Sequence, residues 1–239
     1  MISVKNLTLA FDEKVLYEGL DFTAKNGELT MITGLNGTGK TTLLKIISGE
    51  MKVEGAEVKS DCQKIFFLPQ KVSYPVGITL FEYILSAFYS NSFKWFTTKS
   101  EKEKVLKTLD TLELLDRKDI FVEKLSSGEL QLANLAVALV SGADCLLLDE
   151  PTSNLDLKNQ VKISKILKNL TKKGMTCVMI THDLNLASEY GDYFLGISKN
   201  IVLQGNRGEF FTKENLQKIF GLTFNVEFEN EKIYLKISD

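Results

Sequence analysis

The sequence predicts an α/β fold, and three observations carry that reading. Apolar runs at Ile65-Phe66-Phe67-Leu68, Cys145-Leu146-Leu147-Leu148 and Cys177-Val178-Met179-Ile180 show no alternation. Such runs mark strands buried on both faces, at the centre of a sheet covered by helices. Between the last two, Ile163, Ile166, Leu167 and Leu170 recur at helical spacing, giving strand, helix, strand. Earlier in the chain, Leu29-Thr30-Met31-Ile32-Thr33 reads as a strand that ends in glycine and leads into a helix over Lys40 to Ile47.

The remaining elements follow in order. Leu7, Leu9 and Phe11 alternate with polar neighbours, as do Leu20 and Phe22, which marks half-buried strands. Their short connection makes them antiparallel. From about residue 71 to 124 the rhythm breaks. No strand is legible there, while Val105, Leu109 and Leu112 mark a helix, with Ser100 and Glu103 offering a capping box at its start. This stretch is expected as a helical insertion within a single domain spanning 1–239. Phe194-Leu195-Gly196-Ile197 and Ile201-Val202-Leu203-Gln204 read as strands about a Lys199-Asn200 turn, and a β hairpin over about 223–238 turns near Glu229-Asn230.

Composition narrows the function classes. Lys plus Arg total 29 against 31 for Asp plus Glu, a net charge of -2, so there is no basic footprint for nucleic acid. Cys62, Cys145 and Cys177 are scattered without metal-ligand spacing, which suits a reducing compartment, and Cys145 and Cys177, each inside an apolar run, read as small buried thiols. The start, Met1-Ile2-Ser3-Val4-Lys5, lacks the order of a signal peptide, and no apolar run approaches the length that crosses a bilayer. Any membrane role therefore calls for another polypeptide.

Chemistry concentrates in a few motifs. Gly34-Leu35-Asn36-Gly37-Thr38-Gly39-Lys40-Thr41 fits G-x-x-x-x-G-K-[ST] between a strand and a helix. Glycines let such a backbone wrap phosphate oxygens at a helix N-terminus. Lys40 would reach the β- and γ-phosphates, and the Thr41 hydroxyl would bind Mg²⁺. Cys145-Leu146-Leu147-Leu148-Asp149-Glu150 is a strand ending in two carboxylates, Asp149 placed for Mg²⁺ and Glu150 for polarising the attacking water. A solvated acidic turn is the plainer alternative for that pair. His182 stands just past a buried strand, at the edge where open α/β sheets bind ligands. Ser126 with Glu129 forms a capping box opening a helix, and the same N-terminus is a good anion site.

The order of the phosphate loop, Gln70, Leu125-Ser126-Ser127-Gly128-Glu129, Asp149-Glu150-Pro151-Thr152, Ser153-Asn154-Leu155-Asp156 and His182 resembles the ATP-binding-cassette ATPase family over nearly the whole chain. The resemblance implies a P-loop NTPase with a RecA-like core, an antiparallel β subdomain and an inserted helical subdomain. It implies ATP contacts along Gly34, Leu35, Asn36, Gly37, Thr38, Gly39, Lys40, Thr41 and Thr42, with Phe11 stacked on adenine. Mg²⁺ would be met by Thr41 and Asp149; Gln70 would touch Mg²⁺ or the lytic water while sensing a transmembrane partner, and His182 would contact the γ-phosphate. Glu150, His182, Gln70 and Lys40 would form the catalytic set. Ser126, Ser127, Gly128, Glu129 and Asp156 would act across a dimer interface, on ATP held by the opposite subunit.

Two departures stand out. The family's usual signature has Gly-Gly-Gln where this chain has Ser127-Gly128-Glu129, and arginines where it has Leu132 and Val137. A glutamate near a triphosphate is electrostatically awkward unless it points away or caps backbone N–H groups. With Glu150 and His182 in place, an active ATPase is still expected.

By the same resemblance, the partners are a second cassette subunit in a homodimer, transmembrane permease subunits and a substrate-binding protein, with no nucleic acid. The location would be the cytoplasmic face of the cell membrane. The aromatic stretch of Tyr83, Phe88, Tyr89, Phe93, Trp95 and Phe96 is either core or a docking groove for a helix of the membrane partner. Thr181-His182-Asp183-Leu184-Asn185-Leu186-Ala187 and Glu214-Asn215-Leu216-Gln217-Lys218-Ile219-Phe220-Gly221 look like importers of iron chelates, haem or cobalamin. Zinc or manganese uptake, export, and a soluble ATPase of iron–sulfur assembly stand as alternatives.

Overall fold

The computed structural model describes residues 1–11, 14–89, 97–199, 201–230 and 232–238, with the side chains of Phe11 and Lys14 outside that description. Its strands are β1 (Ile2–Phe11), β2 (Lys14–Ala24), β3 (Leu29–Gly34), β4 (Glu57–Ser60), β5 (Ile65–Leu68), β6 (Cys145–Asp149), β7 (Thr176–Ile180), β8 (Tyr193–Ser198), β9 (Ile201–Asn206), β10 (Phe224–Glu229) and β11 (Lys232–Ile237). Its helices are α1 (Lys40–Ser48), α2 (Leu80–Leu85), α3 (Lys99–Thr111), α4 (Ser127–Ser141), α5 (Leu157–Thr171), α6 (Leu184–Tyr190), α7 (Arg207–Phe210) and α8 (Lys213–Phe220). The chain divides into two compact units. One comprises Met1–Gln70, Asp144–Ser153 and Ser164–Asp239; the other comprises Lys71–Ala143 and Asn154–Ile163.

The first unit holds a six-stranded sheet in the order β5-β6-β7-β3-β8-β9, parallel except for β9. Strands β3, β6 and β7 are buried along their whole length, as unbroken apolar runs require. β5 departs from the expectation of a central strand. It forms the edge of the sheet, and Ile65, Phe66 and Phe67 are only half-buried. Ile65 and Phe67, two residues apart and so on one face, pack on the core, which is enough to select apolar residues without a strand on each side.

A second sheet, β2-β1-β4, is antiparallel. Ile2, Val4, Leu7, Leu20 and Phe22 turn from it into the same core as Leu43, Leu44, Leu147 and Val178. At ~1.5–3 kcal/mol for each large apolar side chain fully buried, this shared core fixes α1, and with it the preceding loop, against the strands. β4 has no apolar alternation and is exposed throughout, so only its pairing with β1 reveals it. Cys62 lies within hydrogen-bonding reach of the buried Cys145 thiol, although the two are far apart in sequence; burial holds both Cys145 and Cys177 protonated, the latter with a pKa pushed up to about 12. β8 is pinned to α7 by Phe194 stacked on Phe210 at 5.4 Å, with Phe211 edge-on at 4.8 Å. β10 and β11 form an antiparallel hairpin, Phe224 opposite Ile237 and Glu229 opposite Lys232.

The second unit begins at Lys71 and runs past Lys124, where the sequence reading ended the insertion, through α4 to Ala143. Leu80, Ile84, Val105, Leu109, Leu132 and Leu135 form its buried apolar face. The Ser100–Glu103 capping box is not formed. α3 starts at Lys99, capped by Thr98, whose side chain accepts from Glu101 N while Glu101 returns to the Thr98 N–H. Ser100 thus falls inside the helix, and Glu103 faces Lys99 at 3.9 Å instead. The same spacing occurs two residues earlier with an extended residue at the cap, and that register wins. Tyr83 is half-buried, its hydroxyl donating to Asn134 Oδ1 at 2.8 Å; Phe93, Trp95 and Phe96 lie outside the described residues. Among the described residues, no helix is long and apolar enough to cross a membrane.

Candidate functional site

The phosphate loop sits at the carboxyl end of β3 and hands over directly to α1. Its path is enforced by two glycines. A Cβ on Gly34 would lie 1.9 Å from the carbonyl oxygen of Ile197, and one on Gly39 would lie 2.7 Å from the Tyr17 hydroxyl. Gly39 caps α1 with φ 95, a conformation that other residues rarely adopt. Lys40 is buried and turns back over the loop, donating to Gly34 O at 3.0 Å and Leu35 O at 2.7 Å. Burial lowers its pKa, opposed by the neighbouring carboxylates of Glu150 and Asp149. Thr38 Oγ1 donates to Leu35 O at 3.0 Å, tightening the same turn.

Thr41 and Asp149 meet across the loop: the hydroxyl donates to Asp149 Oδ2 at 2.9 Å. Asp149 ends β6 and is buried, which raises its pKa; the Thr41 hydrogen bond acts against that rise. A hydroxyl and a buried carboxylate side by side are hard oxygen donors, the set that suits Mg²⁺.

Glu150 follows with φ 49, a strained conformation for a side chain of its size, at an order-of-magnitude cost of ~1–3 kcal/mol. The turn it makes aims its carboxylate between two partners. Gln70 Nε2 donates to Oε2 at 2.8 Å, and His182 Nε2 lies 2.9 Å from Oε1. Gln70 comes two residues after β5 and His182 two residues after β7, so three strand ends converge on one carboxylate. These three side chains, with Asn36, Gly37, Gly39, Lys40, Thr41 and Thr42, line a cleft of about 480 Å³. Leu16 of β2 lines it too. Leu16 is not legible in the sequence, because alternation marks β2 only at Leu20 and Phe22, whereas the strand begins at Lys14. Gly34 is buried below the cleft, and Leu35 lines a smaller cavity with Thr38 and Leu16. The side chain of Phe11 lies outside the description.

The other expected residues lie in the second unit. Ser126 caps α4 by accepting from Glu129 N at 3.3 Å. In return Glu129 Oε2 accepts from the Ser126 N–H and hydroxyl, each at 2.9 Å, and Oε1 pairs with Arg117 Nε at 2.8 Å. The backbone hydrogen bond from Ser126 is the main cause holding the Glu129 carboxyl below its ordinary pKa. Glu129 therefore turns back to cap the helix. Ser127 is exposed, while Gly128 packs so closely on Asn159 that a Cβ would come within 2.6 Å of its amide. Asn159 is held by Asp156, which accepts from its backbone N–H at 2.8 Å and from Nδ2 at 2.9 Å.

The family description "ABC transporter" matches residues 17–153. A "probable siderophore transport system ATP-binding protein" of Bacillus subtilis (strain 168) is 34% identical over 241 residues, covering 94% of this chain and 87% of that protein. A zinc transport system ATP-binding protein of Treponema pallidum (strain Nichols) is 31% identical over 235 residues, covering 92% and 86%. Among solved structures, an inward-facing metal-chelate type ABC transporter aligns with TM-score 0.88 at 28% identity, covering 99% of this chain and 96% of that one. A dimeric post-hydrolysis ATP-binding cassette bound to ADP and Pi aligns with TM-score 0.75 at 26% identity, covering 87% and 99%.

Proposed function

This chain belongs to the ABC transporter family as an ATP-binding subunit, and from that premise we propose that it hydrolyses ATP as a dimer to drive import through permease subunits, from the cytoplasmic face of a membrane. The observation that carries the hydrolytic reading is the Glu150 carboxylate, held by Gln70 and His182 in the cleft that the phosphate loop opens. ATP lies with its phosphates against the loop backbone and the N-terminus of α1, and Lys40 exchanges its two carbonyl partners for phosphate oxygens. Thr41 and Asp149, which already meet, would hold Mg²⁺ together with Gln70, and the ion would supply positive charge against the β- and γ-phosphates. Glu150 accepts a proton from the attacking water as its oxygen bonds to the γ-phosphorus and the bond to the ADP oxygen breaks. His182 steadies Glu150 and would contact the γ-phosphate of bound ATP. Ser126 to Glu129 and Asp156 reach ATP on the partner subunit, a reading supported by the dimeric cassette bound to ADP and Pi.

An iron chelate is the cargo we favour, on the strength of the siderophore relative and the metal-chelate type structure. Uptake of zinc or manganese is the second reading, supported by the zinc transport relative. Purified protein should hydrolyse ATP only with Mg²⁺, and Lys40→Ala should lose nucleotide binding in calorimetry. Unchanged affinity in that variant would falsify the phosphate-loop role. Co-purifying permease in vesicles and following ferric-siderophore against Zn²⁺ uptake separates the two cargoes.

A further inference from the structure

We propose that Arg117 is a positioning residue of the signature helix: its guanidinium neutralises Glu129, so that the N-terminus of α4 can receive the γ-phosphate of ATP held by a second copy. This rests on the ATP-sandwich reading above. Several observations converge. Glu129 stands at the third position of α4, within the first turn, where an anion would approach. Its Oε2 is already used by the Ser126 N–H and hydroxyl, and Oε1 is the atom that takes Arg117. The Arg117 backbone is fixed on both sides, its N–H donating to Leu114 O at 2.9 Å and its carbonyl accepting from Ile120 N at 2.9 Å. Neighbouring cations are directed elsewhere, Lys118 to Asp119 at 3.2 Å and Lys124 over the Phe121 ring at 5.4 Å.

Stability does not account for the pair. The Arg117 side chain is 54% exposed and that of Glu129 25%, and ion pairs so open to solvent contribute little to folding. The field at the helix end is another matter. An ionised carboxylate beside an incoming phosphate repels it, and a cation 2.8 Å away cancels that charge as seen from outside. Capping alone leaves the charge in place.

The test places Arg117→Ala in a Glu150→Gln parent, with and without Glu129→Gln, and reads Mg-ATP-dependent dimerisation on gel filtration. Arg117→Ala should raise the ATP concentration needed for half-dimerisation roughly threefold or more. Adding Glu129→Gln to Arg117→Ala should bring half-dimerisation back to the level of the parent, because it removes the charge left uncancelled, and Arg117→Lys should stay close to the parent. Added salt should narrow the gap between Arg117→Ala and the parent, because screening weakens the exposed repulsion. A deficit in Arg117→Ala that Glu129→Gln does not relieve overturns the role, as does no deficit at all. Circular dichroism of each variant shows whether the fold is intact. A Glu150→Gln parent that stays monomeric in saturating Mg-ATP overturns the sandwich itself, and the Arg117 role with it.

Discussion

Asp149 is a charge that the fold tolerates for what it does. A carboxylate at the buried end of β6 loses hydration, and one hydroxyl hydrogen bond from Thr41 returns only part of it. Asp149→Asn keeps the shape and an oxygen that can accept from Thr41. It should raise the thermal stability of nucleotide-free protein by about 1 kcal/mol, or roughly 2–4 °C in a chain of this size. The same variant should lose Mg²⁺-dependent ATP turnover. Calorimetric scans showing an unchanged or lower midpoint would mean that the buried charge costs nothing. Gly34 is the converse case, since function and packing ask for the same residue. Gly34→Ala places a Cβ 1.9 Å from Ile197 O, a backbone atom that cannot step aside, and should abolish soluble folded protein. At this scale the sequence was most informative: loop, paired carboxylates and lone histidine were legible because each chemistry restricts residue type. Leu16 and Arg117 were not, because a leucine and an arginine carry no spacing of their own.

Helix starts in the second unit repeat one solution. Thr79, Thr98 and Ser126 each cap a helix and each exchange hydrogen bonds with a glutamate three residues on. Reading the third from sequence was straightforward because apolar helical spacing follows it at once. The second lies two residues before the box that sequence suggests, since Ser100 and Glu103 repeat the spacing of Thr98 and Glu101. Backbone conformation, which sequence does not display, decides between them. Thr98→Ala should therefore cost about 1 kcal/mol, and Ser100→Ala close to nothing. A larger drop of the urea midpoint in Ser100→Ala than in Thr98→Ala would return the cap to Ser100. Sheet edges were illegible for a related reason. β4 carries no apolar residue but Val58, which is exposed, and β5 is apolar but lies at an edge, so pairing rather than pattern defines both.

At the scale of the whole molecule, the two units carry different halves of the proposed chemistry. The phosphate loop, Asp149, Glu150 and His182 belong to the first, and Ser126 to Glu129 with Asp156 belong to the second. If each ATP needs one set from each of two chains, hydrolysis and dimer lifetime are a single variable. Glu150→Gln tests that linkage. The amide keeps shape and hydrogen-bonding reach toward His182, but it removes the charge and the capacity to take a proton from water. ATP and Mg²⁺ should still bind, because Lys40, Thr41 and Asp149 are untouched. Hydrolysis should fall by roughly a hundredfold or more, the scale of a lost general base. With the γ-phosphate persisting, the variant should run as a dimer in Mg-ATP and as a monomer without nucleotide, whereas the native protein should dimerise only transiently. Turnover at the native rate would remove Glu150 from the role of base. An inactive variant that stays monomeric in saturating Mg-ATP would overturn the sandwich of two copies of this chain.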